Sequence, residues 1–429
     1  MRILQNMLTA LVSAPNKMRA LGWGQPASLA DDPQAAVDAV LAATGEVSSL
    51  VYAGTLLDQI EAMDSEALQQ LLIHIATKHD IDAAVLADAA AIYAREADAS
   101  GLARLTSLAE PRWMELFRRL NATDGGTVRL VRLRERILEL TRDLPDAARI
   151  DSGLKSLLRM WFNPGFLILQ PIDWSTPANI LEKIIAYEAV HEISSWEDLR
   201  ARLAPDDRRC FAFFHPSMPE EPLIFVEVAL TDKTPRRIAP ILQIDRETII
   251  EASTAVFYSI SNCQSGLAGI SFGNFLIKRV AQELKLEFPD LKRFVTLSPV
   301  PGLMRWLKVK EPNLAATFLA SDDAFWNEEA KDRERELLSA ALRYFLESDR
   351  KDGLPNDPVA RFHLGNGAIL EQLNFAADLS EKGVSQAAGL MVNYLYDLAV
   401  VEANHEAFHD TKQVAMSPSL RQLQRSLKP

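Results

Sequence analysis

The sequence predicts a multidomain chain, with an all-helical domain over residues 1–162 and a mixed α/β domain over residues 163–429. At 429 residues the chain is long for a single hydrophobic core, so two domains are expected. Between residues 31 and 160, Leu, Ile and Ala recur every three or four positions, as on the buried face of a helix. Later in the chain, β-branched and aromatic runs alternate with turn residues and helical segments.

Two segments, 65–78 and 81–96, show the helical pattern of the first domain most clearly. Asp64 precedes the first of them and can accept hydrogen bonds from the unpaired backbone N–H groups of the first turn. Residues 121–126, which include two glycines, interrupt the series. The alanine-rich windows indicate closely packed helices rather than a chemical site.

The second domain opens with a proline-containing boundary zone, residues 162–177, and then alternates strands and helices. Four strands are predicted from runs of β-branched and aromatic residues, at 210–214, 223–230, 255–261 and 293–297. A helix is predicted over 275–286, and helices return after residue 322 and again from residue 367 onward.

Composition and charge exclude several classes of protein. With 48% hydrophobic and 24% charged residues the chain reads as an ordinary soluble globular protein. A net charge of −12 disfavours a general nucleic-acid binder, which needs basic patches. No window reaches the ~18 apolar residues of a membrane span, and the N-terminus, interrupted by Gln5 and Asn6, reads as an amphipathic lead-in rather than a cleaved signal peptide. We therefore expect a cytoplasmic protein without nucleic-acid or membrane partners.

Only two cysteines occur, Cys210 and Cys263. They cannot build a disulfide framework or a Cys-rich zinc site, and they favour a reducing compartment. A disulfide between two copies of the chain stays open.

A glycine-rich segment, residues 262–274, joins the predicted strand 255–261 to the helix 275–286. Glycine allows a ligand to approach the backbone closely, and the following helix start offers free N–H groups for a phosphate. With the next strand the segment forms a β-α-β unit, whose ligand crevice lies at the carboxyl ends of the strands. The pattern matches neither a Walker A loop nor a dinucleotide fingerprint. Phosphate binding and tight packing both remain open.

Ser298 and His363 are the candidate proton-handling residues. Ser298 follows the predicted strand 293–297, at the end that faces a ligand crevice, and His363 precedes a Gly-Asn-Gly turn. A histidine titrates close to neutral pH and can donate or accept a proton. The alternative is a turn serine before a proline and a hydrogen-bonded core histidine.

Six segments of the second domain resemble, in order, blocks of the malonyl-CoA decarboxylase family: 215–222, 257–261, 275–280, 297–302, 356–364 and 389–396. The glycine-rich segment is also similar to a divergent coenzyme A pyrophosphate loop of the GNAT acyltransferase superfamily. The resemblance implies a helical oligomerisation domain followed by a GNAT-like mixed α/β catalytic domain. It implies a carbon–carbon lyase of fatty acid metabolism that converts malonyl-CoA to acetyl-CoA and CO2 through a stabilised enolate and its protonation.

By the same resemblance, Ser298 is the proton acceptor and His363 the proton donor, and both contact the substrate. The implied substrate-binding segment comprises Ala268, Gly269, Ile270, Ser271, Phe272, Gly273 and Asn274. Some family members carry glutamate where Ser271 stands, so no charged role is assigned to this position. Tyr396 is expected nearby, as a supporting hydroxyl or as a packing residue. No metal or prosthetic group is expected, and the family implies a homotetramer built as a dimer of dimers.

Three interpretations compete with that of a decarboxylase. Residues 405–409 read His-Glu-Ala-Phe-His, the H-E-x-x-H zinc pattern, but no third ligand follows downstream, and a solvated helix face is the preferred interpretation. A GNAT-type acyl-CoA acyltransferase would need an amine acceptor, which decarboxylation does not. A non-catalytic coenzyme A-binding scaffold would show no turnover.

Overall fold

The computed structural model describes residues 32–244, 251–270, 275–319, 325–326 and 330–427. The predicted fold class is confirmed, because helices occupy the described chain from Pro33 to Trp161 and a mixed α/β region follows. The chain divides into two compact units. The first contains the described residues of Met1–Phe166, His215–Pro219 and Gln264–Ser271, and the second contains the remaining described residues. The predicted domain boundary between residues 162 and 163 stays a prediction.

The described part of the first unit is built from helices, and four of them begin after an aspartate whose side chain caps the first turn. The helices are α1 (Pro33–Ala42), α2 (Glu46–Ala62), α3 (Ser65–Lys78), α4 (Ala83–Glu96), α5 (Ala99–Leu108), α6 (Arg112–Asn121), α7 (Gly126–Leu140) and α8 (Pro145–Trp161). Asp64 accepts a hydrogen bond from the Ala67 N–H at 2.8 Å, so the predicted cap of α3 is confirmed. The predicted break falls between α6 and α7, where Gly125 has a φ of 63°.

The second unit alternates strands and helices. Its strands are β1 (Ile168–Ile172), β2 (Arg208–Phe214), β3 (Ile224–Thr231), β4 (Thr254–Asn262), β5 (Arg293–Thr296), β6 (Ser298–Pro299), β7 (Ile369–Asn374) and β8 (Met391–Leu395). Its helices are α9 (Ala178–Tyr187), α10 (Trp196–Leu203), α11 (Ala239–Leu242), α12 (Phe275–Glu287), α13 (Leu303–Lys310), α14 (Pro312–Leu319), α15 (Ala330–Leu346), α16 (Pro358–Gly365), α17 (Glu381–Ala387), α18 (Val401–Thr411) and α19 (Pro418–Ser426).

The strands of the described residues form one sheet in the order β1-β2-β3-β4-β5-β8-β6, with β7 also paired to β8. All neighbours are antiparallel except β4 and β5, which run parallel. This parallel pair extends only from Thr254↔Arg293 to Phe257↔Thr296. Beyond it, β4 continues along β3 to Asn262. The two parallel strands therefore part at their carboxyl ends, which opens a gap in the sheet.

Apolar residues cover both faces of the sheet. One core joins helices α9 and α10 to β1, β2 and β3, through residues such as Ile184, Leu199 and Phe225. A second core joins Tyr258 of β4, Val295 of β5 and Met391 of β8. Consecutive residues 224–230 of β3 are all buried, so both faces of the sheet are covered there. None of the described helices is both long and apolar enough to cross a membrane.

Four predicted strands correspond to β2, β3, β4 and β5, with ends that differ by one or two residues. The prediction of helices from residue 367 onward is wrong in part, because β7 and β8 lie there. Leu, Glu and Gln in Ile369–Asn374 favour helix locally, but pairing with the buried strand β8 decides the structure. Strand β1 was missed because it lies inside the predicted boundary zone.

Both cysteines are buried free thiols in the core beneath α9 and α10. Burial raises the pKa of Cys210 and of Cys263, so both stay protonated at neutral pH.

Candidate active site

A cavity of about 230 Å³ in the second unit lies where β4 and β5 part. Its lining is mainly apolar and comprises Val190, Ile224, Phe257, Tyr258, Ile260, Asn262, Ser298, Pro299, Pro358, Val359, Phe362 and His363. Two predicted site residues, Ser298 and His363, therefore share one cavity. Its volume lies below the roughly 300–1,000 Å³ of drug-sized ligand sites, which suits an acyl group rather than a whole cofactor.

Ser298 begins the short strand β6 and is paired with Val392 of β8. Its Oγ lies 3.1 Å from Nε2 of His363. The same hydroxyl donates a hydrogen bond to Oγ1 of Thr296 at 2.8 Å. Since Ser298 and His363 are 65 positions apart, only the fold brings them together.

His363 lies in the last turn of α16, and the start of this helix is firmly anchored. Asp357 is fully buried at the N-cap and accepts a hydrogen bond from the Ala360 N–H at 2.9 Å. Tyr344 donates its hydroxyl to the other carboxylate oxygen of Asp357 at 3.2 Å. Pro358 occupies the first helical position, where its missing N–H costs no hydrogen bond. These contacts fix the helix that carries the imidazole.

The imidazole of His363 is 3% exposed and is held on three sides. Its Nδ1 lies 2.8 Å from the hydroxyl of Tyr396, and its ring stacks on Tyr394 with a centroid separation of 4.5 Å and an interplanar angle of 25°. Burial lowers the pKa of His363 to about 3, so the ring is neutral at pH 7. Sequence reasoning left Tyr396 between support and packing; the structure places its hydroxyl against His363.

The hydrogen-bond directions follow from Ser298. Because its hydroxyl donates to Thr296, its Oγ is free to accept from Nε2–H of His363, and Nδ1 then accepts from Tyr396. Burial raises the pKa of the Tyr396 hydroxyl, so this group keeps its proton for that bond. The result is a directed chain of hydrogen bonds, in which each group donates to the next, from Tyr396 through the imidazole to Ser298 and Thr296.

Thr296 and Asn393 are site residues that sequence reasoning missed. Oγ1 of Thr296 also accepts from the Tyr394 N–H at 3.2 Å, and its carbonyl accepts from Nδ2 of Asn393 at 2.8 Å. Oδ1 of Asn393 accepts in turn from Nδ2 of Asn374 at 2.6 Å. For Thr296 the sequence did contain a signal, which is its spacing of two residues from Ser298. Residues two apart along extended backbone lie on the same side of a sheet, as Thr296 and Ser298 do.

The predicted substrate segment is described only in part. Ala268, Gly269 and Ile270 lie in the first unit, after a 3₁₀ turn at Ser265–Leu267. Gly269 has a φ of 71°, in the left-handed region that favours glycine. The other four predicted positions lie outside the described residues: Ser271, Phe272, Gly273 and Asn274.

The H-E-x-x-H residues lie on α18, with the rings of His405 and His409 6.5 Å apart. Nδ1 of His405 donates to the Gly365 carbonyl at 2.5 Å, and His409 is exposed beside Asp410. In the described part of the chain, no third metal-binding side chain joins these two histidines.

A different cluster in the first unit, Asp38 with His74 and His79, has metal-ligand chemistry. One oxygen of Asp38 lies 2.8 Å from Nε2 of His79, and the other contacts the Lys78 ammonium. Asp38 thus already has a cation and a hydrogen-bond donor as partners.

Comparisons with known proteins indicate the family of the chain. Residues 165–429 match the model of the malonyl-CoA decarboxylase C-terminal domain, and residues 79–162 match that of its N-terminal domain. The mitochondrial malonyl-CoA decarboxylase of Anser anser anser is 35% identical over 344 residues, which cover 72% of this chain and 68% of that protein. The enzyme of Rattus norvegicus is 35% identical over 358 residues, which cover 75% and 72% respectively.

Two crystal structures of bacterial malonyl-CoA decarboxylases are similar over nearly the whole chain. That from Rhodopseudomonas palustris has a TM-score of 0.87 and 47% identity, and covers 92% of this chain and 99% of its own. That from Agrobacterium vitis has a TM-score of 0.87 and 48% identity over the same shares. Since one family model alone covers more than half of the sequence, the chain belongs to the malonyl-CoA decarboxylase family of carboxy-lyases.

Proposed function

We propose that malonyl-CoA is decarboxylated to acetyl-CoA and CO2 in the cavity beside Ser298 and His363. The observation that carries the proposal is the 3.1 Å contact between Ser298 Oγ and His363 Nε2 on the wall of an apolar cavity. One proton donor and one hydroxyl are therefore available to a small acyl group placed there.

The first step breaks the bond between the carboxylate carbon and the α-carbon. Phe257, Ile260 and Phe362 line the cavity and offer no charge to replace the hydration shell of a carboxylate. The carboxylate is therefore less stable in the cavity than in water, and loss of neutral CO2 removes this desolvation cost. The electron pair of the broken bond passes to the α-carbon and the thioester oxygen. The thioester is the electron sink, so we propose that the step needs no metal or prosthetic group. Ser298 turns its hydroxyl from Thr296 to the departing carboxylate.

The second step protonates the α-carbon of the enolate. Nε2–H of His363 is the proton donor, and the hydroxyl of Tyr396 gives a proton to Nδ1 through their 2.8 Å contact. Solvent then delivers a proton to Nε2 from the cavity and the Nδ1 proton returns to Tyr396, so the starting tautomer is restored and the cycle consumes one proton per CO2 released. A neutral imidazole suffices here because a carbanion is a much stronger base. We assign Ala268 to Asn274 to the coenzyme A moiety, whose binding energy holds the acyl group in place.

The test is incubation of the purified protein with malonyl-CoA alone in D2O, followed by mass spectrometry of the products. We expect acetyl-CoA with one solvent deuteron in its methyl group. His363→Ala should lower kcat by about a hundredfold or more, as for loss of a general acid, and Ser298→Ala should also be impaired. His409→Ala is the matched control, since that imidazole is exposed, and it should behave as wild type.

Near-normal turnover of His363→Ala would contradict the assignment. Acyl transfer that requires an added amine would point instead to an acyltransferase, and coenzyme A binding without turnover would point to a scaffold. We further propose a cytoplasmic homotetramer that works in fatty acid metabolism. Light scattering in solution checks the tetramer, and cell fractionation checks the location. Unchanged activity after chelation checks the proposal that the reaction needs no metal.

A further inference from the structure

The 3₁₀ turn Ser265–Leu267 in the first unit packs directly on helix α7. A Cβ added to Gly266 would lie 1.9 Å from the Val131 carbonyl oxygen, closer than any real Cβ contact. Only glycine therefore fits at this position, and the backbone that leads to Ala268 rests on the helix.

Arg134 of α7 fixes the same backbone by hydrogen bonds. Its guanidinium, 1% exposed, donates from Nη1 to the Gly266 carbonyl at 2.7 Å and from Nη2 to the Ala268 carbonyl at 3.0 Å. Its Nε donates to Oδ1 of Asp151 at 2.7 Å. The charge of Arg134 is thus balanced by Asp151, and its donors are used to hold the chain. Arg134 is a positioning residue rather than a ligand for an anion.

Lys155 of α8 differs from Arg134 in this respect. Its ammonium lies over Gly269, such that a Cβ added there would be 2.7 Å from Nζ. The side chain is half-buried, and among the described residues it has neither an ion pair nor a hydrogen bond. The missing Cβ of Gly269 leaves room for this cation beside the backbone. Lys155 is therefore a cation that no described carboxylate balances, and it lies beside backbone that the buried Arg134 holds in place. This arrangement is suited to binding an anion.

We propose that Lys155 binds a phosphate group of the acyl-CoA substrate at the Gly269 turn, on backbone that Arg134 holds in position. This inference rests on the proposed assignment of Ala268 to Asn274 to coenzyme A. It adds a ligand-binding cation from a helix of the first unit, outside every segment that the sequence motifs indicate.

The experiment compares malonyl-CoA, malonyl-3′-dephospho-CoA and malonyl-pantetheine as substrates for wild type, Lys155→Met and Lys155→Arg. Lys155→Met should raise KM for malonyl-CoA about tenfold, as for loss of one charged hydrogen bond, and leave kcat unchanged. Its KM for malonyl-pantetheine, which has no phosphate, should stay within twofold of wild type. Lys155→Arg should restore tight binding. Arg104→Met, an exposed cation on α5, controls for net charge.

The dephospho substrate locates the contact. If Lys155→Met still raises KM for malonyl-3′-dephospho-CoA, Lys155 contacts the pyrophosphate. If the KM values of wild type and Lys155→Met are then equal, Lys155 contacts the 3′-phosphate. Either outcome supports phosphate binding. An unchanged KM for malonyl-CoA, or an equal penalty on malonyl-pantetheine, would overturn the proposal. Calorimetry of coenzyme A binding to the same variants separates this inference from the proposed function. Weaker binding by Lys155→Met in a protein without decarboxylase activity would refute only the latter.

Discussion

Replacing Thr296 by valine tests whether the direction of the hydrogen-bond chain matters for catalysis. Valine has nearly the same shape but no hydroxyl, so both bonds to Oγ1 are lost, from Ser298 at 2.8 Å and from the Tyr394 N–H at 3.2 Å. Thr296 is fully buried, so water does not replace it. A buried donor left without an acceptor costs about 1–3 kcal/mol. We expect the free energy of unfolding to fall by about that amount.

The effect on turnover has a separate origin. Without Thr296 as acceptor, the Ser298 hydroxyl turns to Nε2 of His363, which must then be unprotonated. The proton moves to Nδ1, and the ring has none to give on the cavity side. One hydrogen bond of about 1.4 kcal/mol biases the two tautomers by about tenfold, so we expect kcat to fall about tenfold with little change in KM.

Acetyl-CoA formation followed by mass spectrometry gives kcat and KM, and urea unfolding gives the stability. Thr296→Ser is the matched control, because it keeps the hydroxyl and should retain most of the turnover. If Thr296→Val loses stability but keeps kcat within twofold of wild type, Thr296 only packs the core and the directed chain is refuted.

Two further outcomes follow from the same geometry. Tyr396→Phe removes the 2.8 Å partner of Nδ1 and should lower kcat about tenfold at unchanged KM; full activity in the same assay would reduce Tyr396 to packing. Burial holds the pKa of His363 at about 3, below the 6.5 of an unfolded histidine, so the unfolded chain binds more protons between these values. Stability from this residue is present above pH 6.5 and is lost as the pH falls, by about 2 kcal/mol between pH 7 and pH 5. His363→Gln should lose less stability than wild type over that interval in urea unfolding, and equal losses would contradict the buried neutral ring.

Local sequence signals predicted the elements that depend on local chemistry. Helix α3 begins after Asp64 as expected, because its N-cap residue and the helical spacing of its apolar residues both depend only on neighbouring positions in the sequence. Strand β4 was predicted because its apolar and aromatic run is long enough to identify. Strand β7 was not, since its residues favour helix and only its partner β8 selects the extended form.

The candidate site divides in the same way. Family resemblance indicated Ser298 and His363, although no local rule connects two residues 65 positions apart. The role of Thr296 depends on which side of the sheet faces the cavity and on where β4 and β5 part. The neutral state of His363 depends on the closure of the fold around it. Such properties belong to the packed chain rather than to any segment of it.

The stacking of His363 on Tyr394 also bears on stereochemistry. A ring held at 4.5 Å against a second ring, with Tyr396 and Ser298 at its two nitrogens, cannot turn over to present its other edge. An enolate is flat and has two faces, and a donor with one fixed direction reaches only one of them. The new carbon–hydrogen bond therefore forms on a single face. A substrate made chiral at the α-carbon by isotopic labelling should give a methyl group of one handedness, where a free enolate released to solvent would give both.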